Sequence, residues 1–253
     1  MNKYKVESGV QLLARLTKKP VVENFYSDLF QPGLKCDDVV ELISNSSQQL
    51  LLDLISEAIY PKNNTEPLGA LVFNTASHFN CYEFINVLKK KIVSTSRGNC
   101  ETELENVLKR SLNNLFTLDI YDATQFYTSI HNLDNILAEH PNISLLIFNT
   151  LTAFYWSEQG SKITKMDLYI KNLLKMIQKV AKEYKVILIY TKPEHFSSNK
   201  ETYKIGDVPM PEDVNYKVQI LDSISNTYQV NVRTIDCYYE KNMFIINNKI
   251  KWQ

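Results

Sequence analysis

Glycine is scarce in this chain, which has 6 glycines among 253 residues. Globular proteins ordinarily contain about 7% glycine. Because glycine has no Cβ, it lets the backbone approach a phosphate group closely and point its N–H groups at it. The shortage therefore counts against a glycine-rich nucleotide-binding loop.

The chain also lacks an excess of charge of either sign, since 28 Lys and Arg residues balance 28 Asp and Glu residues. This balance excludes a strongly basic nucleic-acid-binding protein, although it does not exclude a local basic stripe. No apolar run approaches the roughly 20 residues of a membrane span. The first ten residues lack the apolar segment of a secretory signal. We therefore expect neither secretion nor association with a membrane.

Cysteine is also infrequent, and Cys36, Cys81, Cys100 and Cys237 are far apart in the sequence. They form no C-x-x-C pair and no cluster with histidine at the spacing of metal ligands. In a chain without a secretory signal, this pattern predicts free thiols in a reducing compartment. We expect no metal site.

Hydrophobic patterning predicts strands that alternate with helices between residues 38 and 191. The expected strands are 38–43, 69–74, 115–120, 143–148 and 185–190, and the expected helices between them are 48–60, 80–93, 101–112, 124–139 and 165–184. A further helix is expected before them, at 7–16. This alternation, with continuous apolar runs in the central strands, is typical of a largely parallel sheet covered on both faces. Beyond residue 191 we expect three consecutive antiparallel strands at 218–221, 229–235 and 243–246. The sequence therefore predicts one α/β domain.

The turn after the first strand is where an α/β sheet of this kind would bind a nucleotide. A phosphate loop there needs the pattern G-x-x-x-x-G-K-S/T, but the chain has Ser44, Asn45, Ser46, Ser47, Gln48 and Gln49. Asn149 follows the fourth strand, where a magnesium-binding aspartate is expected, and Ala76 follows the second strand, where a general base is expected. We expect no bound nucleotide. A different fold without a nucleotide site would explain the same absences.

Two further groups of residues have a chemistry that suits nucleic acid. Phe154, Tyr155 and Trp156 could stack on single-stranded bases, or they could pack against a neighbouring helix. Lys89, Lys90 and Lys91 could contact phosphates, or they could form a solvated helix face. The sequence leaves both alternatives open.

Two segments of the chain resemble the eukaryotic recombinase paralogues of the RecA/RadA family. The segment 7–16, ESGVQLLARL, resembles the first helix of those proteins, and the segment 151–156, LTAFYW, resembles the stretch after their fourth strand. Gly33 and Glu41 fit the same register, and the resemblance spans roughly residues 7 to 191. It implies a RecA-like core over residues 36–253, preceded by an N-terminal helix and linker over residues 1–35.

The resemblance also implies a function. The family acts in the nucleus in homologous-recombination repair of DNA double-strand breaks. Its paralogues form hetero-oligomers that support recombinase filaments on single-stranded DNA, and this branch resembles one that pairs with the D member. Leu12, Leu13 and Leu16 are then the expected partner-binding residues, unless they pack on the core of their own chain.

The departures from the family pattern lie at its nucleotide site. Ser44 occupies the first glycine position of the phosphate loop, and Lys192 occupies the polar switch position after the fifth strand. The family's cofactors are ATP and magnesium, and we expect this chain to be a pseudo-ATPase that uses neither. Two alternatives are an ATPase in which Lys62 or Lys192 replaces the missing lysine, and a single-stranded DNA-binding module.

Overall fold

A computed structural model describes most of the chain. The described residues are 7–17, 22, 24–43, 48–61, 67–75, 79–95, 101–159, 164–193, 210–222, 227–246 and 249–253. Among them, no helix is both long enough and apolar enough to cross a lipid bilayer.

In the described residues, nine strands form one sheet, in the order β3-β2-β4-β5-β1-β6-β7-β8-β9. The strands are β1 (Val39–Ile43), β2 (Gly69–Thr75), β3 (Leu115–Ile120), β4 (Ile143–Asn149), β5 (Ile187–Lys192), β6 (Tyr216–Asp222), β7 (Thr227–Arg233), β8 (Tyr238–Ile246) and β9 (Lys249–Trp252). Strands β1 to β5 are parallel, and every residue of β1, β2, β4 and β5 is buried. Burial on both faces explains the continuous apolar runs in these strands.

The antiparallel strands predicted at the end of the chain are confirmed, because β6, β7, β8 and β9 pair antiparallel in that order. On its other side, β6 lies parallel to β1. A parallel neighbour needs a long crossover connection, and the chain between Lys192, which ends β5, and Tyr216, which begins β6, is long enough for one. The fourth strand of this group, β9, was not predicted.

Eight helices are described: α1 (Gly9–Leu16), α2 (Gln48–Ile59), α3 (Cys81–Thr95), α4 (Glu101–Leu112), α5 (Ala123–His131), α6 (Leu133–Glu139), α7 (Tyr155–Glu158) and α8 (Met166–Glu183). They cover the two faces of the sheet. Alternate residues of β2 show the division, because Ala70 and Val72 pack with α2 and α3, whereas Leu71 and Phe73 pack with α5, α6, α7 and α8. The α/β architecture predicted from the sequence is confirmed.

The single helix predicted over residues 124–139 is in fact two helices, α5 and α6. Asn132 separates them, and its side-chain oxygen accepts a hydrogen bond of 2.7 Å from Asn135. This bond joins two side chains, and the Asn132 side chain makes no capping hydrogen bond to the backbone of α6. The break lets Ile130 and Leu133 both be buried in the same core.

Candidate functional site

The carboxyl ends of β1, β2, β4 and β5 lie side by side at one edge of the sheet. Ile43 is aligned with Lys192, and Asn74 is aligned with Asn149. Of the positions predicted to form the degenerate phosphate loop, Ser44 to Ser47 lie outside the described residues, as do Ala76 and Lys62. Gln48 and Gln49 begin α2, and the Gln48 side chain donates a hydrogen bond of 3.2 Å to Glu83.

A buried ionic cluster lies on β1, β5 and β6 near this edge. Glu41 is 1% exposed, and its Oε1 lies 3.1 Å from Nζ of Lys192 and accepts a hydrogen bond of 3.0 Å from Tyr190. Nζ of Lys217 lies 3.9 Å from the other carboxylate oxygen, Oε2. One carboxylate therefore lies between two buried ammonium groups.

The pKa values in this cluster follow from burial and from the neighbouring charges. Burial is the main cause that lowers the pKa of Lys217, and Lys192 and Arg233 add to it, while Glu41 partly offsets it. Burial and the Glu41 carboxylate raise the pKa of Tyr190. Since Lys192 is engaged with Glu41, a phosphate group at this edge would have to compete with a buried carboxylate for it.

Hydrogen bonds of threonine side chains link the ends of β2, β4 and β5. The Thr75 hydroxyl donates to the backbone carbonyl of Thr150 at 2.8 Å, and it also contacts the carbonyl of Asn149. The backbone N–H of Thr150 donates to the hydroxyl of Thr191 at 2.7 Å. Hydroxyl groups that could otherwise face a ligand are therefore used within the protein.

Magnesium held on a nucleotide is usually bound through one or two carboxylates of the protein. Asn149, which ends β4, offers a neutral amide and is 9% exposed. Among the described residues, no group of three or more His, Cys, Asp and Glu side chains could hold a metal ion. Asn149 therefore offers no carboxylate to a magnesium ion at the end of β4.

Helix α1 presents its apolar face away from the body of the protein. Leu13 and Leu16 are each 68% exposed, and Leu12 is 39% exposed, whereas Ala14 is 4% exposed. An amphipathic helix on a globular protein ordinarily turns its apolar face inward. The leucines predicted to bind a partner are therefore accessible, whereas the helix packs on the core of its own chain through Ala14.

Polar contacts hold α1 in this orientation. A capping box begins the helix, because Ser8 and Gln11 exchange hydrogen bonds between side chain and backbone at 2.8 and 3.2 Å. The side-chain amide of Gln11 also donates to Asp134 at 2.9 Å and to Asn135 at 3.3 Å, both on α6. The side of α1 that faces the protein thus bears Gln11 and the small Ala14.

The three consecutive aromatic residues do not share one surface. Phe154 packs against Phe126 with 5.5 Å between ring centroids, and Tyr155 is 4% exposed and packs on Tyr169 at 5.3 Å. Trp156 is 62% exposed. Of the three residues proposed to stack on bases, Trp156 is therefore the accessible one, and Tyr155 is a core residue of α7.

The three lysines of α3 have different surroundings. Lys89 and Lys90 are exposed, whereas Lys91 forms ion pairs with Glu57 at 2.5 Å and with Asp53 at 3.7 Å. Helix α3 packs on one face of the sheet and α7 on the other. The structure therefore does not bring the lysine run and the aromatic residues together on one face.

The ionic cluster of Glu41, Lys192 and Lys217 was missed as a unit by the sequence analysis. The available signals were a glutamate inside the apolar strand VVELI and a lysine that ends the strand ILIYTK. Charged residues in strands that are otherwise apolar indicate buried partners.

Comparison with known proteins finds similarity to a DNA repair protein. No family model matches the chain. The chain is 24% identical to the DNA repair protein XRCC2 of Mus musculus over 196 residues, which cover 74% of this chain and 68% of that protein. This similarity confirms the resemblance to the recombinase paralogues and agrees with a RecA-like arrangement of the sheet.

Proposed function

We propose that this chain is a non-catalytic subunit that acts in DNA repair by homologous recombination. It serves as a protein-interaction component of a complex of recombinase paralogues that supports recombinase filaments on single-stranded DNA. The proposed partner is the D member of these paralogues, and the proposed place of action is the nucleus. The similarity to a DNA repair protein supports the pathway.

The outward apolar face of α1 is the observation that carries the interaction role. Burying a leucine side chain fully contributes about 1.5–3 kcal/mol, and Leu13 and Leu16 still expose 68% of their surface. A stable interface removes about 800 Å² from each partner, which is more than one short helix provides. The partner therefore covers α1 and part of the surface around it.

The arrangement at the carboxyl edge supports the absence of catalysis. Lys192 is paired with Glu41 at 3.1 Å, so it is a poor replacement for the missing phosphate-binding lysine. Titration calorimetry with millimolar ATP and magnesium tests this part of the proposal, and we expect no binding heat. A saturable heat with one site per chain would instead support the alternative of a rewired ATPase.

Direct contact with single-stranded DNA is a second candidate function, favoured by the exposure of Trp156. Base stacking would then involve one aromatic ring, that of Trp156, rather than three. Binding through Lys89 and Lys90 would add a steep dependence on salt concentration. An affinity that stays constant between low and moderate salt would exclude a phosphate-based contact.

Complex formation and repair test the main proposal together. The purified full chain is mixed with each of the other recombinase paralogues of its own cell, and complexes are resolved by size-exclusion chromatography. Cells that lack the chain are exposed in parallel to agents that break both DNA strands. We expect a stable complex with at least one paralogue and poor survival of the cells. Absence of every complex, together with normal survival, would contradict the proposal.

A further inference from the structure

Thr150 has an unusual backbone conformation at the point where the chain leaves β4. Its φ is +75°, which lies in the left-handed region that a β-branched residue rarely occupies. Such a conformation is costly and persists only where the surrounding contacts impose it, and it is found mainly at functional sites. The contacts that impose it here therefore indicate what they position.

Two buried threonine side chains hold Thr150 in this conformation. The Thr75 hydroxyl donates a hydrogen bond of 2.8 Å to the Thr150 carbonyl, and the Thr150 N–H donates one of 2.7 Å to the Thr191 hydroxyl. The next residue is fixed as well, because the N–H of Leu151 donates to the backbone carbonyl of Thr191 at 3.0 Å. We call Thr75, Thr150 and Thr191 the threonine clamp.

The threonine clamp directs the chain into α7, a helix of about one turn. A helix this short is not stable by itself, so its position depends on contacts with the rest of the protein. Tyr155 packs in the core, and its hydroxyl donates to the backbone carbonyl of Thr164 at 2.5 Å. Glu158, at the other end of α7, accepts hydrogen bonds from Tyr127 of α5 at 2.8 Å and from Tyr169 of α8 at 3.0 Å. Burial and the Glu158 carboxylate raise the pKa of both tyrosines, so both hydroxyls remain donors at neutral pH.

The large side chain that this arrangement presents to solvent is Trp156, which is 62% exposed. We propose that the threonine clamp fixes α7 and thereby presents Trp156 in one orientation for stacking on a base of single-stranded DNA. This inference rests on the second candidate function and names Thr75 and Thr191 as positioning residues for it. An aromatic ring that is held in place before binding loses less conformational freedom when a base stacks on it, which strengthens binding.

Isosteric substitutions test the clamp. Thr191→Val and Thr75→Val each delete one hydroxyl, and Thr191→Ser and Thr75→Ser, which keep the hydroxyl, are the matched controls. Hydrogen exchange is followed by mass spectrometry at α7, whose amides bond to carbonyls within residues 150–158, and at α4, which lies on the other face of the sheet. We expect α7 to exchange about tenfold faster in the valine variants than in the serine variants, with α4 unchanged. Equal exchange of α7 in the valine and serine variants would overturn the proposal.

Thr150→Gly tests the role of the left-handed conformation separately. Glycine adopts a positive φ without steric penalty, so the turn no longer needs both hydroxyls. We expect Thr191→Val to accelerate exchange in α7 much less in the Thr150→Gly background than in the wild type. An equal acceleration in the two backgrounds would show that the clamp does not act by holding Thr150, and would overturn the proposal.

Binding of a fluorescein-labelled oligothymidine, measured by fluorescence anisotropy, connects the clamp with its role. We expect Thr191→Val to weaken binding by about threefold or more, whereas Thr191→Ser binds like the wild type. Wild-type affinity in Thr191→Val, together with weaker binding by Trp156→Ala, would overturn the positioning role. If the wild type does not bind the oligonucleotide, the second candidate function fails and the stacking role fails with it, whereas the exchange experiment separately decides whether the clamp holds α7.

Discussion

The side-chain amide of Gln11 lies 2.9 Å from Oδ2 of Asp134, to which it donates a hydrogen bond. The hydroxyl of Tyr184, at the end of α8, donates to the other oxygen of the same carboxylate at 2.6 Å. Asp134 thus connects α1, α6 and α8 through polar contacts. This connection places α1 on the protein without using its leucines.

Gln11→Ala removes this connection and the side-chain half of the capping box. We expect faster hydrogen exchange of the α1 amides, with a loss of about 0.5–1.5 kcal/mol in the free energy that protects them. The midpoint of global unfolding in urea changes little, because the core lies elsewhere. Leu13→Ala is the matched control and leaves exchange in α1 nearly unchanged. Equal exchange in both variants would show that Gln11 does not hold the helix.

Glu41→Gln tests the buried ionic cluster. The substitution removes the carboxylate that lies beside the buried Lys192 and Lys217, and removal of one partner of a buried pair typically costs about 3–5 kcal/mol. The loss in the free energy of unfolding is measured by denaturation in urea. Glu240→Gln, at an exposed site on β8, is the control, and it should change the free energy of unfolding by about 0.5 kcal/mol or less. Similar losses in the two variants would contradict the account of the cluster.

Because of Lys217, we expect the free energy of unfolding to rise with pH. Its pKa in the folded chain lies below the ordinary value of 10.5. Between that lowered pKa and 10.5 the unfolded chain binds more protons, so the stability contributed by this group rises with pH. We expect the unfolding free energy of the wild type, relative to that of Lys217→Met, to increase as the pH is raised from 7 to 10.5. A difference that is constant or falls over this range would contradict the assignment.

Tyr155 and Trp156 are adjacent in sequence but should respond differently to substitution. Tyr155→Ala leaves a cavity beside Tyr169, and we expect a loss of about 3–5 kcal/mol in the free energy of unfolding. Trp156→Ala changes the free energy of unfolding by about 0.5 kcal/mol or less.

If the chain contacts single-stranded DNA, Trp156→Ala weakens that binding by about 1–3 kcal/mol, which fluorescence anisotropy measures. Unchanged DNA affinity would exclude Trp156 as a stacking residue.

The central sheet could be predicted because strands buried on both faces have continuous apolar sequences, as in 143–148 and 187–190. The direction of β6 could not be predicted, because local sequence does not reveal whether a long connection crosses over the sheet. The contact of Glu41 with Lys217 depends on that crossing. The three aromatic residues were grouped by adjacency, but successive residues of a helix point about 100° apart.

The orientation of α1 shows another limit of sequence patterns. Periodicity identifies residues that share a helix face, here Leu13 and Leu16, but it does not tell whether that face turns toward the protein or away from it. The tertiary contacts of Gln11 and Ala14 determine which way the apolar face of the helix turns. These contacts involve Asp134 on α6, more than one hundred residues along the chain.

The dissociation constant of the complex between this chain and its paralogue partner tests the central claim most directly. It is measured by titration calorimetry for the wild type, for the double variant Leu13→Glu/Leu16→Glu, and for Val93→Glu, which alters an exposed residue of α3 on the other face of the sheet. All three proteins should unfold at similar urea concentrations. We expect the double variant to bind about 100-fold more weakly or not at all, since burying two carboxylates opposes the contact, while Val93→Glu binds like the wild type. Wild-type affinity in the double variant would contradict the assignment of α1 as the partner-binding element.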